Sequence, residues 1–165
     1  MKTTKRPFCI DRRKFLTAGA AAAAAGCNAN KNPWRFFTEA EAQTLAAICD
    51  QIVPADEDPG AAWAGAVAYI DRQLMGHFKE HQTAYRKGIA TADQLSGGNF
   101  ASLSKESQMV LLQKMEKSKD TAAFVSLAVT HTMQGFYGSP RHGGNRDFAS
   151  WRMLGVPSSP VRGRA

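Results

Sequence analysis

The chain has 165 residues, 44% of them hydrophobic and 21% charged, with 21 lysines and arginines against 14 acidic residues for a net charge of +7. Its longest bland apolar run, Phe15 to about Ala25, is mostly alanine and too short to span a membrane stably, which takes about 20 apolar residues. Six of the basic residues and one acidic residue precede Cys27, so the remainder carries 15 against 13, an excess of +2 that removes the main support for a nucleic-acid partner.

The N-terminal stretch has the layout of an export signal: a basic head (Lys2, Lys5, Arg6, Arg12, Arg13, Lys14), an apolar stretch, then small residues. Arg12 and Arg13, followed by Lys14, Phe15 and Leu16, resemble the twin-arginine signal, which is read by a translocase that moves folded proteins. A basic nucleic-acid arm would have no reason to run into an alanine tract ending in Gly26-Cys27. The sequence Ala24-Ala25-Gly26-Cys27 also resembles a lipoprotein cleavage box, although Ala24 stands where leucine is usual. Cys27 is therefore either lipidated, tethering the domain to a membrane surface, or left near a simple cleavage point. With residues 1 to 27 set aside as signal, about 138 remain, enough for one core.

Residues 28 to 37 read as a tether turning into an aromatic anchor, and residues 38 to 157 as a helical domain followed by a tail over 158 to 165. Thr38-Glu39-Ala40-Glu41 is a capping box that starts a helix. Leu45, Ile48 and Ile52 share one face of it, and Pro54 stops it. Cys49 is the one cysteine well inside this domain; it is either a buried free thiol or, in an oxidising compartment, a candidate for a disulfide to another subunit. In "PADEDPG", Asp56, Glu57 and Asp58 lack the alternating ligands and terminal glutamate of a calcium loop, and a solvated turn near the next helix's start is expected.

The segment "AAWAGAVAYIDRQLMG" places Trp63, Val67, Ile70 and Leu74 on one stripe with Asp71 and Arg72 at its edge, predicting a helix of about four turns. The same period continues after Gly76 through Phe78, Tyr85, Ile89, Ala92 and Leu95, and Gly97-Gly98 ends it. His77 and His81 are four apart, but no third ligand is near, so exposed polar residues at a helix start are expected. Ser104 caps the next helix, with Met109, Leu112 and Met115 facing inward. In the last long helix Phe124, Leu127, Ala128 and His131 share a side, making His131 a hydrogen-bonded core residue. No alternating β-branched segment appears, and the expected fold class is all-α, a small bundle of about five helices.

From Gly135 the sequence reads "GFYGSPRHGGNRDFASWRMLGVP", rich in glycine, aromatics and arginine. Gly143 and Gly144 permit backbone angles closed to other residues, Asn145 can cap a short helix through Trp151, and Arg146 with Asp147 can fix the loop as a paired charge. A glycine pair beside Asn and Arg could also cradle an anion, yet there is no dinucleotide or P-loop fingerprint. Ordering of an irregular tail and a partner-docking surface are both compatible with these residues.

This ordered set, Gly143-Gly144-Asn145-Arg146-Asp147 followed by Trp151, Gly155 and Pro157, resembles the C-terminal signature of the gluconate 2-dehydrogenase subunit 3 family. "IVPADEDPGAAWAGAVAYIDRQL" is similar to a second marker of that family, and the twin-arginine start is its usual beginning. The resemblance implies a non-catalytic small subunit with no catalytic, cofactor or metal residue of its own. It implies a large FAD-dependent dehydrogenase partner escorted through export by the twin-arginine translocase, and in some complexes a multihaem cytochrome c subunit carrying haem c. The implied location is periplasmic, at the cytoplasmic membrane. The other reading is a stand-alone periplasmic lipoprotein that binds a small anion, or acts as an enzyme, through the loop His142 to Arg146.

Overall fold

The computed structural model describes residues 32 to 157. The signal residues Arg12, Arg13, Phe15 and Leu16, the candidate lipidation site Cys27, the first part of the tether and the tail 158 to 165 lie outside the described residues.

Six α-helices make up the described body: α1 (Glu39–Ile52), α2 (Ala66–Leu74), α3 (Gln82–Leu95), α4 (Lys105–Lys117), α5 (Ala122–Tyr137) and α6 (Ala149–Met153). Short 3-10 turns at Lys79–His81, Phe100–Ser102, Pro140–His142 and Arg146–Phe148 join them. No strand occurs among the described residues. The fold is all-α, with α1 touching α2, α3, α4 and α5, and α5 packed most closely on α2.

Both predicted caps form. The Thr38 hydroxyl accepts from the Glu41 amide while the Glu41 carboxylate accepts from the Thr38 amide, which satisfies donors that the first turn leaves free. Arg86 of α3 pairs with the same Glu41 carboxylate and donates to the Phe36 carbonyl, so the cap also links two helices. The Ser104 hydroxyl accepts from the Ser107 amide at the start of α4.

The core is a single cluster to which α1 contributes Leu45 and Ile48, α2 Val67, Ile70 and Leu74, α3 Tyr85 and Ile89, and α5 Phe124 and Phe136. Burying each such side chain contributes roughly 1.5–3 kcal/mol. Several polar groups at the edge of this cluster are hydrogen-bonded between elements. Asp93 Oδ1 accepts from Thr44 Oγ1 at 2.8 Å and from the Phe100 amide at 3.0 Å, tying α1 to α3 and to the following turn.

The structure corrects several expectations. Helix α2 begins at Ala66 rather than near Ala61, because Gly65 adopts φ 87°, a left-handed conformation that interrupts the helix. Trp63 therefore lies in a turn, 45% exposed, instead of on the core stripe. Asp71, expected at a helix edge, is buried. Its carboxylate accepts from the Arg35, Phe36 and Phe37 amides at 2.8, 2.9 and 3.1 Å, clamping the aromatic end of the tether onto α2. Helix α3 starts only at Gln82, after a 3-10 turn, and Leu95 is exposed. In α4 the buried stripe is Gln108, Leu111, Leu112 and Met115, with Met109 outside. Gln108 turns inward because its amide group donates to the Phe100 and Leu103 carbonyls, at 3.3 and 3.2 Å, and accepts from Gln51 at 2.9 Å.

Candidate functional site

Where α5 ends, the chain folds back on α2 and α5 through residues 138 to 156. Asn145 organises this return. Fully buried, it donates from Nδ2 to the Gly138 carbonyl at 2.9 Å and accepts at Oδ1 from the Ser150 amide at 3.0 Å, bracing the end of α5 against the start of α6. Asn145 does not cap the helix in the expected position: the N-cap of α6 is Phe148, without a side-chain cap bond, and the Asn145 amide reaches the free Ser150 amide of the first turn from outside it. The Arg146 amide donates to the Ala64 carbonyl at 2.8 Å, and the Trp151 indole donates to the Tyr137 carbonyl at 2.9 Å.

The glycine pair is explained by close approach. A Cβ at Gly144 would overlap the Gly135 carbonyl of α5, and Gly143 takes φ 104° with its amide donating to the Pro140 carbonyl. Asn145, Asp147 and Phe148 all have positive φ, at 46°, 53° and 57°. Left-handed non-glycine residues cost of order 1–3 kcal/mol each and persist where surrounding contacts over-determine them. The Asn145, Arg146 and Trp151 hydrogen bonds supply that determination.

Arg146 and Asp147 do not form the expected ion pair. The Arg146 guanidinium instead lies over the Trp63 ring, 5.5 Å from its centroid, within the range of a cation–π contact. Asp147 takes a left-handed angle and Arg146 does not, a backbone difference that spacing in the sequence could not reveal. Nor did the sequence single out Trp63 as a member of this cluster: it precedes Arg146 by 83 positions, and the Arg146 amide's hydrogen bond to the Ala64 carbonyl helps to bring the two segments together. The structure therefore brings Gly143, Gly144, Asn145, Arg146 and Trp151 together around α5 and adds Trp63. Asp147 is exposed beside them.

Cys49 belongs to a different place. It is fully buried, with Sγ 3.2 Å from Thr132 Oγ1, and burial pushes its thiol up to about 12. A disulfide to another subunit needs the sulfur at the surface, and this fold puts it between α1 and α5. His131 is also internal, and its Nδ1 is 2.9 Å from the Tyr85 hydroxyl. Phe78 stacks on its ring at 4.0 Å, and burial, with His81 nearby, pushes the imidazole down to about 4.

His77 is exposed and His81 lies 3.7 Å from Glu80. Among the described residues no three His, Cys, Asp or Glu side chains converge to hold a metal ion, and no helix is long and apolar enough to cross a membrane. What the C-terminal cluster offers chemically is a surface carrying an exposed indole and a guanidinium that has no ion-pair partner among the described residues.

No curated protein and no solved structure matches the chain. Residues 39–157 match the family described as Gluconate 2-dehydrogenase subunit 3, a span that takes in all six helices and the whole C-terminal cluster. With more than two thirds of its length matched, the chain belongs to the gluconate 2-dehydrogenase subunit 3 family.

Proposed function

We propose that this chain, a small subunit of an oxidoreductase complex, is a non-catalytic partner that binds, stabilises and escorts an FAD-dependent dehydrogenase subunit through twin-arginine export. The family match over residues 39–157 carries the reading. On it, FAD and the substrate pocket belong to the large subunit, haem c to a multihaem cytochrome subunit where one is present, and the complex works in the periplasm at the membrane. A folded-protein route suits a flavoprotein cargo, because the cofactor must be enclosed before transport.

Two structural features support a binding role. The C-terminal cluster is held rigid by side chains that bond to backbone, and rigid surfaces lose little freedom when they dock. It also presents tryptophan and arginine, residue types enriched at the centres of protein interfaces. The anion-binding alternative draws less support, since the Gly143 amide already donates within the loop and Gly144 is required for packing on α5.

The test is co-expression of the tagged full chain with a flavoprotein dehydrogenase encoded beside it that lacks its own signal. The expected result is a stable complex with the flavin absorption spectrum, whose activity resides in the large chain. Purification of this chain alone, with sugar dehydrogenase turnover or bound flavin, would overturn the proposal.

A further inference from the structure

Between α1, α2 and the Arg146 loop lies a cleft of about 260 Å³. Its walls are alanines, Ala42 and Ala46 from α1 and Ala62 and Ala68 from the α2 side, together with Val67. Such small side chains leave room without offering polar groups of their own. The volume is below the roughly 300 Å³ at which small-molecule pockets usually begin, so a single side chain suits it better than a free ligand.

The rim is asymmetric in charge. At one edge Glu39 is engaged internally, accepting from the Trp34 indole at 3.0 Å and from the Gln43 amide at 3.4 Å. At the other edge the Arg146 guanidinium rests on exposed Trp63 and has no carboxylate within ion-pair distance among the described residues. Its backbone is fixed by the Ala64 hydrogen bond, so the charge is held beside the cleft rather than on a mobile arm. A guanidinium over an indole contacts it through charge rather than through its N–H groups, which leaves donors for a bidentate carboxylate.

We infer that this cleft is the anchor point for the large dehydrogenase subunit, receiving one apolar side chain of that subunit while a neighbouring carboxylate pairs with Arg146. The inference rests on the proposed function and adds the docking face and the chemistry of its occupant. The apolar side chain gains from leaving water, and the carboxylate supplies the missing opposite charge. Trp63 shields that pair from solvent on one side, the arrangement in which an interfacial ion pair contributes most.

The full chain is co-expressed with the large subunit, and retention is compared for wild type, Arg146→Glu, Arg146→Lys and Trp63→Ala. Arg146→Glu is expected to lower retention about tenfold or more, Trp63→Ala to lower it as well, and Arg146→Lys, which keeps the charge but loses the bidentate fork, to fall between wild type and Arg146→Glu. Thermal melting of each variant alone checks that folding is intact. As a second measurement that leaves Arg146 in place, Gln43→p-benzoylphenylalanine at the cleft rim should crosslink to the large subunit on illumination. The same residue at Val110, in a separate groove with Leu95 and Lys114, should not. Wild-type retention with an unaffected Arg146→Glu, or crosslinking from 110 and not from 43, overturns the docking face and leaves the small-subunit function standing. Failure of wild type to retain the flavoprotein overturns both.

Discussion

At the scale of single residues, buried polar groups decide most. The Asp71 carboxylate accepts three backbone amides that precede α1, and each hydrogen bond to a charged group contributes about 1.5–3 kcal/mol. Asp71→Ala should lower the unfolding free energy in urea by about 3 kcal/mol or more; a change below about 1 kcal/mol would show the clamp to be unimportant. His131 gives a pH signature. Folded, it is pushed down to about 4 from 6.5, chiefly by burial and then by His81, while Glu80 pulls the other way. Below 6.5 the unfolded chain takes up a proton that the folded one resists, so stability should fall as pH drops from about 6.5 to about 4 and level off beneath. Urea midpoints measured across that range should show this slope, and it should flatten in His131→Gln.

The element scale shows how local signals compete with packing. Thr38 and Ser104 were legible as caps because capping depends on residues three apart in the chain. The α4 stripe holds at Leu112 and Met115 but fails at Met109, because Gln108, polar by composition, is drawn inward by the Phe100 and Leu103 carbonyls. Helix α2 is shorter than its apolar stripe implies, because Ala61 to Ala64 favour helix while Gly65, at φ 87°, breaks the run. The return of residues 138 to 156 depends on backbone contact at Gly144. Gly144→Ala forces a methyl group against the Gly135 carbonyl, and overpacking of this kind costs about 1–3 kcal/mol or more. Limited proteolysis should then cut the C-terminal segment while α1 to α5 stay protected; an uncut segment would mean that the loop accommodates the methyl group.

At the scale of the whole molecule, the export proposal predicts a shared fate for two chains. Replacing Arg12 and Arg13 together with lysine should leave both this chain and its dehydrogenase partner in the cytoplasm, read by fractionation and by periplasmic dehydrogenase activity. Continued export of the partner would refute the escort role. The family membership and the body's fold would be untouched by that outcome, since they rest on residues 39–157.

By itself the sequence determined the all-α class, the caps of α1 and α4, the internal position of His131 and the family. All of these follow from short-range spacing or from an ordered motif. Only the tertiary structure decided that Asp71 clamps the tether, that Cys49 faces Thr132, and that Arg146 rests on Trp63 instead of pairing with Asp147. These contacts join residues 34 to 83 positions apart, and partner choice across such distances is set by packing and desolvation, which no local pattern encodes.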